Sequence, residues 1–345
     1  MRSSSERFRM ELATSEDAEQ LASIYDSDDG FQGDISVKFT RYPNPVESLA
    51  VEGDDVVVPV VRDGETGQLV GMGACVLRDA WVDGEPCRVG YLTGLKALPD
   101  FRGWVRIIPQ VYGFMRENTP DVKLYYTTIL TENTLARKLL EREHPGMPHY
   151  EFVGEYRTHC YRWNRPVVSR NRLRQGNLQE LSALNAKPRN LAAVGVSPGV
   201  RDDDVWVLSS SHGEPLSWCT VRVPTLKQYT VTRYGGRYAN VAKLPVHWLG
   251  YPRLPGAGTQ ADYAVVGDLG ARDDDPRLVR ELLKRVGWLN RNRHFLMVGL
   301  LDGHPHESAL SGIRTVDYSS RLYTVGFDGC LSLVSDGISL DVGLL

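Results

Sequence analysis

The sequence predicts a mixed α/β (α+β) protein built from two similar units. Each unit reads as a mixed, mostly antiparallel sheet flanked by helices. Three observations lead there. The chain has 345 residues, too many for one typical domain and suited to two. Short β-branched or aromatic runs alternate with stretches of helical period. The order of those elements restarts around Asn164–Arg172, "NRPVVSRNR", which divides the chain into residues 1–163 and 164–345.

In the first unit, "TSEDAEQLASIYD" opens as a helix. Thr14 or Ser15 can cap it, Glu16 and Asp17 suit its positive end, and Leu21, Ile24 and Tyr25 form its apolar stripe. The stretch from Asp54 to Leu98 reads as strands joined by turns at Asp63-Gly64, "ETG" and Asp83-Gly84. "RGWVRIIPQVYGFMREN" is expected to run directly into a helix, with Pro109 in its first turns, where a missing N–H matters least. "KLYYTTIL" is a strand, "ENTLARKLLERE" a short helix and "EFVGEYRTHCYRW" a further strand.

The second unit follows the same plan. "NLQELSALNA" matches the early helix, and "DDDVWVLSSSHGEPLSWCTVRVP" matches the earlier pair of strands. A long stretch from Thr225 to Gln260, rich in Gly, Pro and Tyr, is expected to be irregular. "ADYAVVGDLG", "DPRLVRELLKRVGWLNRN", "HFLMVGLLDG" and "RLYTVGF" then read as strand, helix, strand, strand.

Composition narrows the function. Hydrophobic content of 42% and charged content of 24% are those of an ordinary globular protein. A net charge of −3 gives no reason to expect a nucleic-acid partner. The five cysteines are scattered and never spaced C-x-x-C, which points away from a disulfide framework or zinc site and towards a reducing cytoplasm. The N-terminal stretch has no apolar core of a signal peptide, and no run is long enough to span a membrane. Neither a P-loop nor G-x-G-x-x-G is present.

The stretch "GLKALPDFRGWVRIIPQVYGFM" carries the chemistry. A strand that feeds a helix through a tight turn exposes the helix's free N–H groups, and with the helix dipole these suit a pyrophosphate. Arg102 adds a fixed positive charge at that junction.

Together, Ala97-Leu98-Pro99-Asp100-Phe101-Arg102-Gly103, the strand "YYTTIL", Asn133-Thr134-Leu135-Ala136 and "FVGEY" resemble the GCN5-related N-acetyltransferase (GNAT) superfamily over roughly residues 8 to 163. The resemblance implies two GNAT-like units, a coenzyme A thioester (acetyl-CoA or a longer acyl-CoA) as co-substrate, and acyl transfer to the amine of a small molecule or peptide. It implies that Arg102, Gly103, Trp104, Val105, Arg106 and Ile107 hold the pyrophosphate. Asn133 marks the following helix. It also implies that the strand before the Arg-Gly step splays from its neighbour. The free amides near Gly94, Leu95 and Ala97 would then hold the pantetheine arm and polarise the thioester carbonyl. Gly94 is placed for a bulge or close ligand approach.

The sequence departs from the family pattern in two respects. Val105 and Ile107 stand where the family has small residues, and either would crowd a phosphate unless it points back to the sheet. Leu140 stands where a tyrosine commonly protonates the leaving thiolate. A degenerate ligand-binding or interaction module is therefore the alternative to an enzyme.

In the tandem N-myristoyltransferases of the same superfamily the terminal carboxylate acts as general base. The tail "ISLDVGLL" is apolar enough to thread into a core, so Leu345 is a candidate for that role. In the second unit Asp273, Asp274 and Asp275 stand where an anion would sit, and the first unit alone is expected to bind the cofactor. His144, His149 and His159 could line an acceptor pocket, and the insert could serve acceptor recognition or domain docking. The spacing in "DGHPHE" matches no compact metal site.

Overall fold

The computed structural model describes residues 7–27, 33–101, 105–187, 189–236, 238–242, 244, 246–327, 333 and 337–345. The first half of the chain runs β1 (Phe8–Leu12), α1 (Ala18–Asp26), β2 (Ile35–Arg41), α2 (Pro45–Ala50), β3 (Asp55–Val57), β4 (Pro59–Asp63), β5 (Leu69–Val82), β6 (Glu85–Ala97), α3 (Ile108–Glu117), β7 (Leu124–Leu130), α4 (Thr134–Leu140) and β8 (His149–Tyr161). The second half runs β9 (Arg172–Gln175), α5 (Leu178–Leu184), β10 (Val205–Ser209), β11 (Pro215–Arg222), β12 (Lys227–Tyr234), α6 (Tyr238–Val241), β13 (Tyr263–Ala271), α7 (Pro276–Leu289), β14 (Phe295–Leu301) and β15 (Thr315–Gly326).

Local chemistry sets these boundaries. Thr14 N–H donates to Asp17 ahead of α1, and Asn44, Asn133, Asn177 and Asp275 accept backbone N–H bonds at the starts of α2, α4, α5 and α7. Pro45, Pro109 and Pro276 each occupy a first helical turn. Asp83 and Gly84, at φ 51 and 85, form the two-residue turn between β5 and β6. On α7, Val279, Leu282, Leu283 and Val286 lie on one stripe and are fully buried against β13 and β14 residues. Each such side chain contributes about 1.5–3 kcal/mol of burial.

One large sheet spans both halves, in the order β1-β4-β5-β6-β7-β15-β8-β14-β13-β11-β10-β9, with β3 beside β5. Its parallel pairs are β6–β7 and β13–β14, one in each half. The halves exchange their last strands. β15 lies between β7 and β8, and β8 pairs with β14 through Leu296↔Tyr161 to Leu301↔Tyr156.

Two expectations are corrected. The helix expected directly after the Arg-Gly step begins as α3 at Ile108, behind a single 3₁₀ turn at Val105–Ile107. Pro109 fits only the first turn of the α-helix, so the tighter turn carries the chain up to it. The stretch 225–260 is also not wholly irregular. It contains β12, which forms a two-stranded ribbon with β2 from Lys227↔Arg41 to Tyr234↔Ile35. Lys227, Tyr229 and Val231 alternate onto its inner face, and Tyr229 packs on Phe39 with ring centroids 5.2 Å apart.

Candidate active site

β6 and β7 pair in parallel only from Val89↔Leu124 to Tyr91↔Tyr126 and then part. At the parting, β6 is bulged against β5. Ala74 pairs with Thr93 and Met72 with Lys96, leaving Gly94 and Leu95 together opposite Gly73. Gly94 has φ +64, a left-handed backbone that suits glycine, and a Cβ there would come within 2.9 Å of the Tyr25 hydroxyl. Leu98 N–H donates to Val70 on β5. By the alternation of a strand, the amide of Ala97 faces the opposite way, into the gap beside β7, and so does that of Leu95 two residues earlier. Among the described residues no strand pairs with β6 on that side beyond Tyr91.

At the helix end of the groove, Arg102, Gly103 and Trp104 lie outside the described residues, as does the side chain of Val105. Arg106 is exposed. Ile107 packs with Phe8, Val61 and Val111, so its branched side chain points back to the sheet. Asn133 caps α4, accepting from Ala136 N–H at 3.1 Å. Leu140 is buried among Tyr112, Tyr125 and Tyr323. Residues 144–148 form a surface loop, His149 and Tyr150 begin β8, and His159 is buried against Asp317 at 3.0 Å.

Behind Gly94 lies a buried ionic cluster that single-sequence reasoning missed. Tyr25 lies close enough to Arg41 for the guanidinium charge to act on its hydroxyl. Arg41 makes a two-pronged pair with Glu52, at 3.0 and 3.1 Å. Glu52 pairs at 2.6 Å with Lys227 of β12. Lys227 Nζ donates in turn to the backbone oxygen of Leu345. Burial alone would raise the Glu52 carboxyl, but Lys227 and Arg41 together hold it below its ordinary value. Burial is also the largest influence on Lys227, lowering it to about 8 against the opposing pull of Glu52. Gly94 and Leu345, far apart in sequence, stand at the two ends of this connected set.

The tail reaches the cluster by burying Ile338, Leu340, Val342 and Leu344. Arg78, itself 2% exposed, donates to the carbonyl of Glu52 at 3.2 Å, to that of Leu344, and to the hydroxyl of Tyr126 at the parting of the strands. Among the described residues no group of His, Cys, Asp and Glu is arranged to hold a metal ion. No described helix is long and apolar enough to cross a membrane.

A strand that parts from its parallel neighbour at a bulge, followed by a helix, occurs in both halves, and the overall fold is that of the GCN5-related N-acetyltransferases. Similarity to solved structures supports the same assignment. Saccharomyces cerevisiae N-myristoyltransferase with bound myristoyl-CoA is similar over 92% of this chain and 82% of its own, at a TM-score of 0.57 and 12% identity. A GCN5-related N-acetyltransferase from Sphaerobacter thermophilus matches 95% of this chain and 98% of its own, at a TM-score of 0.54 and 12% identity. One from Anabaena variabilis matches 93% and 73%, at 0.52 and 10%. No protein-family model matches the sequence, and no curated protein does.

Proposed function

We propose that the first unit binds an acyl-coenzyme A, acetyl-CoA or a longer homologue, and that the protein transfers the acyl group to an amine of a small molecule or peptide. The observation that carries this reading is the parting of β6 from β7 beyond Tyr91 and Tyr126, with the bulge at Gly94 beside it. Bound there, the thioester supplies an activated acyl group with a thiolate as leaving group.

The chain's own contributions follow from position. The amides of Leu95 and Ala97, on the edge of β6 from which β7 has parted, hold the pantetheine arm. At the bulge that Gly94 makes possible, the amide of Leu95 also donates to the carbonyl oxygen as negative charge grows on it. Arg102, Gly103, Trp104, Val105, Arg106 and Ile107 hold the pyrophosphate, and Asn133 orders the neighbouring helix. A neutral amine attacks the carbonyl carbon, the C–N bond forms, the C–S bond breaks, and the amine's proton passes to a base. We assign that base to the carboxylate of Leu345, steadied by Lys227. The likeness to N-acyltransferases in fold supports the reaction class.

Thermal melting with acetyl-CoA and longer acyl donors tests the binding, and thiol release across an amine panel tests the transfer. A donor at a hundred times its dissociation constant should stabilise the native state by about 2.7 kcal/mol. No shift with any donor overturns the reading. A shift with no thiol released across the panel assigns the alternative, a ligand-binding module. One residue added after Leu345 should abolish turnover and leave the melting shift intact. Unchanged turnover in that variant removes Leu345 from the mechanism.

A further inference from the structure

Four segments meet at the end of the sheet where β8 closes and β14 and β15 begin. Asn164, just beyond β8, donates to the carbonyl of His247 at 3.4 Å. Arg162 donates through Nε and Nη2 to the carbonyl of Arg291, between α7 and β14, at 3.1 and 2.7 Å. The N–H of Arg253 donates to the carbonyl of His294 at 2.9 Å. Arg314, just ahead of β15, lies over the Tyr251 ring, 4.9 Å from its centre. Residues 244–253, with a 3₁₀ turn at Val246–Leu249, are thereby held against the other three segments.

Charge at this end is one-sided. Residues 162–165, 244–253, 289–294 and 313–314 contain Arg162, Arg165, Arg253, Arg291, Arg293 and Arg314 and neither Asp nor Glu. Arg293 is taken by Asp262. Among the described residues the other five arginines form no ion pair. Burial, and then the charge of Arg253, lowers Arg162. Burial, and then Arg162 and Arg253, lowers His247, and no carboxylate acts on either group. The same loop turns apolar side chains to water. Trp248 and Leu249 are 74% and 60% exposed, and Leu244 and Tyr251 are exposed beside them in sequence. Adjacent large apolar side chains at that exposure mark a surface that meets another apolar phase.

The combination selects the partner. Tryptophan has an apolar body with one polar edge, and arginine an apolar stem with a cationic head, so both settle where water meets hydrocarbon. Leucine gains from hydrocarbon but offers no ring on which a base could stack, which favours a lipid surface over a nucleic acid. The whole chain carries a net charge of −3, so a local excess of arginine orients it towards an anionic surface.

We propose that residues 244–253 and the arginines around them form a peripheral docking surface for an anionic lipid bilayer. Trp248 and Leu249 enter the headgroup region, and the unpaired guanidiniums meet lipid phosphates. β7 and β8 both run antiparallel to β15, so the bound bilayer lies at the sheet end towards which β6 and β7 part. The docking does not depend on acyl transfer and is tested without any thioester.

The full chain is sedimented with vesicles of phosphatidylcholine and phosphatidylglycerol, mixed at roughly 3:1, and with vesicles of phosphatidylcholine alone, at about 0.1 M salt. Binding to the anionic vesicles should be about tenfold or more the stronger, and should weaken as salt is raised. Arg253→Gln combined with Arg314→Gln, both exposed, should weaken it about tenfold or more, since each surface arginine contributes about fivefold. Trp248→Ser combined with Leu249→Ser should also weaken it about tenfold and leave the melting temperature unchanged, because neither side chain is packed in the core. Lys123→Gln, an exposed cation elsewhere, should change it by less than about twofold. No sedimentation with either vesicle, equal sedimentation with both, or wild-type binding in the two double variants overturns the proposal. Retardation of a single-stranded oligonucleotide without vesicle binding also overturns it and assigns the surface to a nucleic acid.

Discussion

Replacing Glu52 by Gln removes the one anion that Arg41 and Lys227 share. All three side chains are nearly inaccessible, at 1%, 5% and 8% exposure for Arg41, Glu52 and Lys227. Without the carboxylate, two buried cations face each other with one amide oxygen between them. Breaking such a cluster from one side costs about 3–5 kcal/mol, because the guanidinium and ammonium left behind stay buried without the carboxylate that they shared. Unfolding entropy is about 2.1 cal/mol/K per residue, hence about 0.7 kcal/mol/K for 345 residues, so the melting temperature should fall by about 4–7 °C. Lys227→Met added to Glu52→Gln removes the stranded ammonium and should recover part of that loss. The assay is differential scanning calorimetry near pH 7. A melting temperature within about 1 °C of wild type for Glu52→Gln would refute the reasoning, since it would mean that the cluster is not a net electrostatic constraint.

Lys227, lowered to about 8 from 10.5 mainly by burial, gives a signed pH dependence. Between those values the unfolded chain holds more protons than the folded one, so this group adds stability as pH rises from about 8 towards about 10. Urea unfolding at about pH 7.5 and 9.5 should show that gain in wild type and lose it in Lys227→Met, and equal gains in both would count against it. Gly94→Ala should cost about 1–2 kcal/mol, because φ is +64 and the new methyl meets Tyr25 at 2.9 Å, and it should shrink the melting shift with acetyl-CoA. An unchanged stability in urea would mean that the bulge tolerates a side chain. Residues 1–163 expressed alone should aggregate, since β7 loses β15 and β8 loses both neighbours, exposing long unpaired edges. A soluble monomeric fragment with a cooperative melt would show the exchange to be dispensable.

Signals confined to one element were legible in the sequence. The Asp83-Gly84 turn, the apolar stripe of α1 and the glycine at the bulge each follow from a residue whose backbone or face preference is strong. The apolar tail "ISLDVGLL" was likewise legible as able to thread into a core, and Ile338, Leu340, Val342 and Leu344 are buried. What stayed hidden depends on pairs distant in sequence. Glu52, Arg41 and Lys227 read individually as surface charges, because burial of a charge is decided by partners that local pattern does not name. The β2–β12 ribbon was obscured by the Gly, Pro and Tyr content around it, although Lys227, Tyr229 and Val231 do alternate. Element order also says nothing about which strands become neighbours, so the exchange of β8 and β15 was out of reach. The side chain of Ile107 pointed to the sheet, a direction that sequence left open.

The exchanged strands explain why the candidate site draws on both halves. β15 enters between β7 and β8, beside the place where β6 and β7 part, so the chain beyond Gly326 begins next to the first unit's groove. The tail then has only to bury its alternate apolar residues to bring Leu345 to Lys227, and Lys227 itself arrives from the second half on the β12 strand that pairs with β2. A fold copied without exchange would leave each groove built from its own half. The two grooves then differ at one structurally equivalent position. Gly94 adds no side chain at its bulge, whereas Asp268 places a carboxylate at the corresponding one. A change from hydrogen to carboxymethyl at that bulge adds a charged side chain there, while the parted backbone around it is kept.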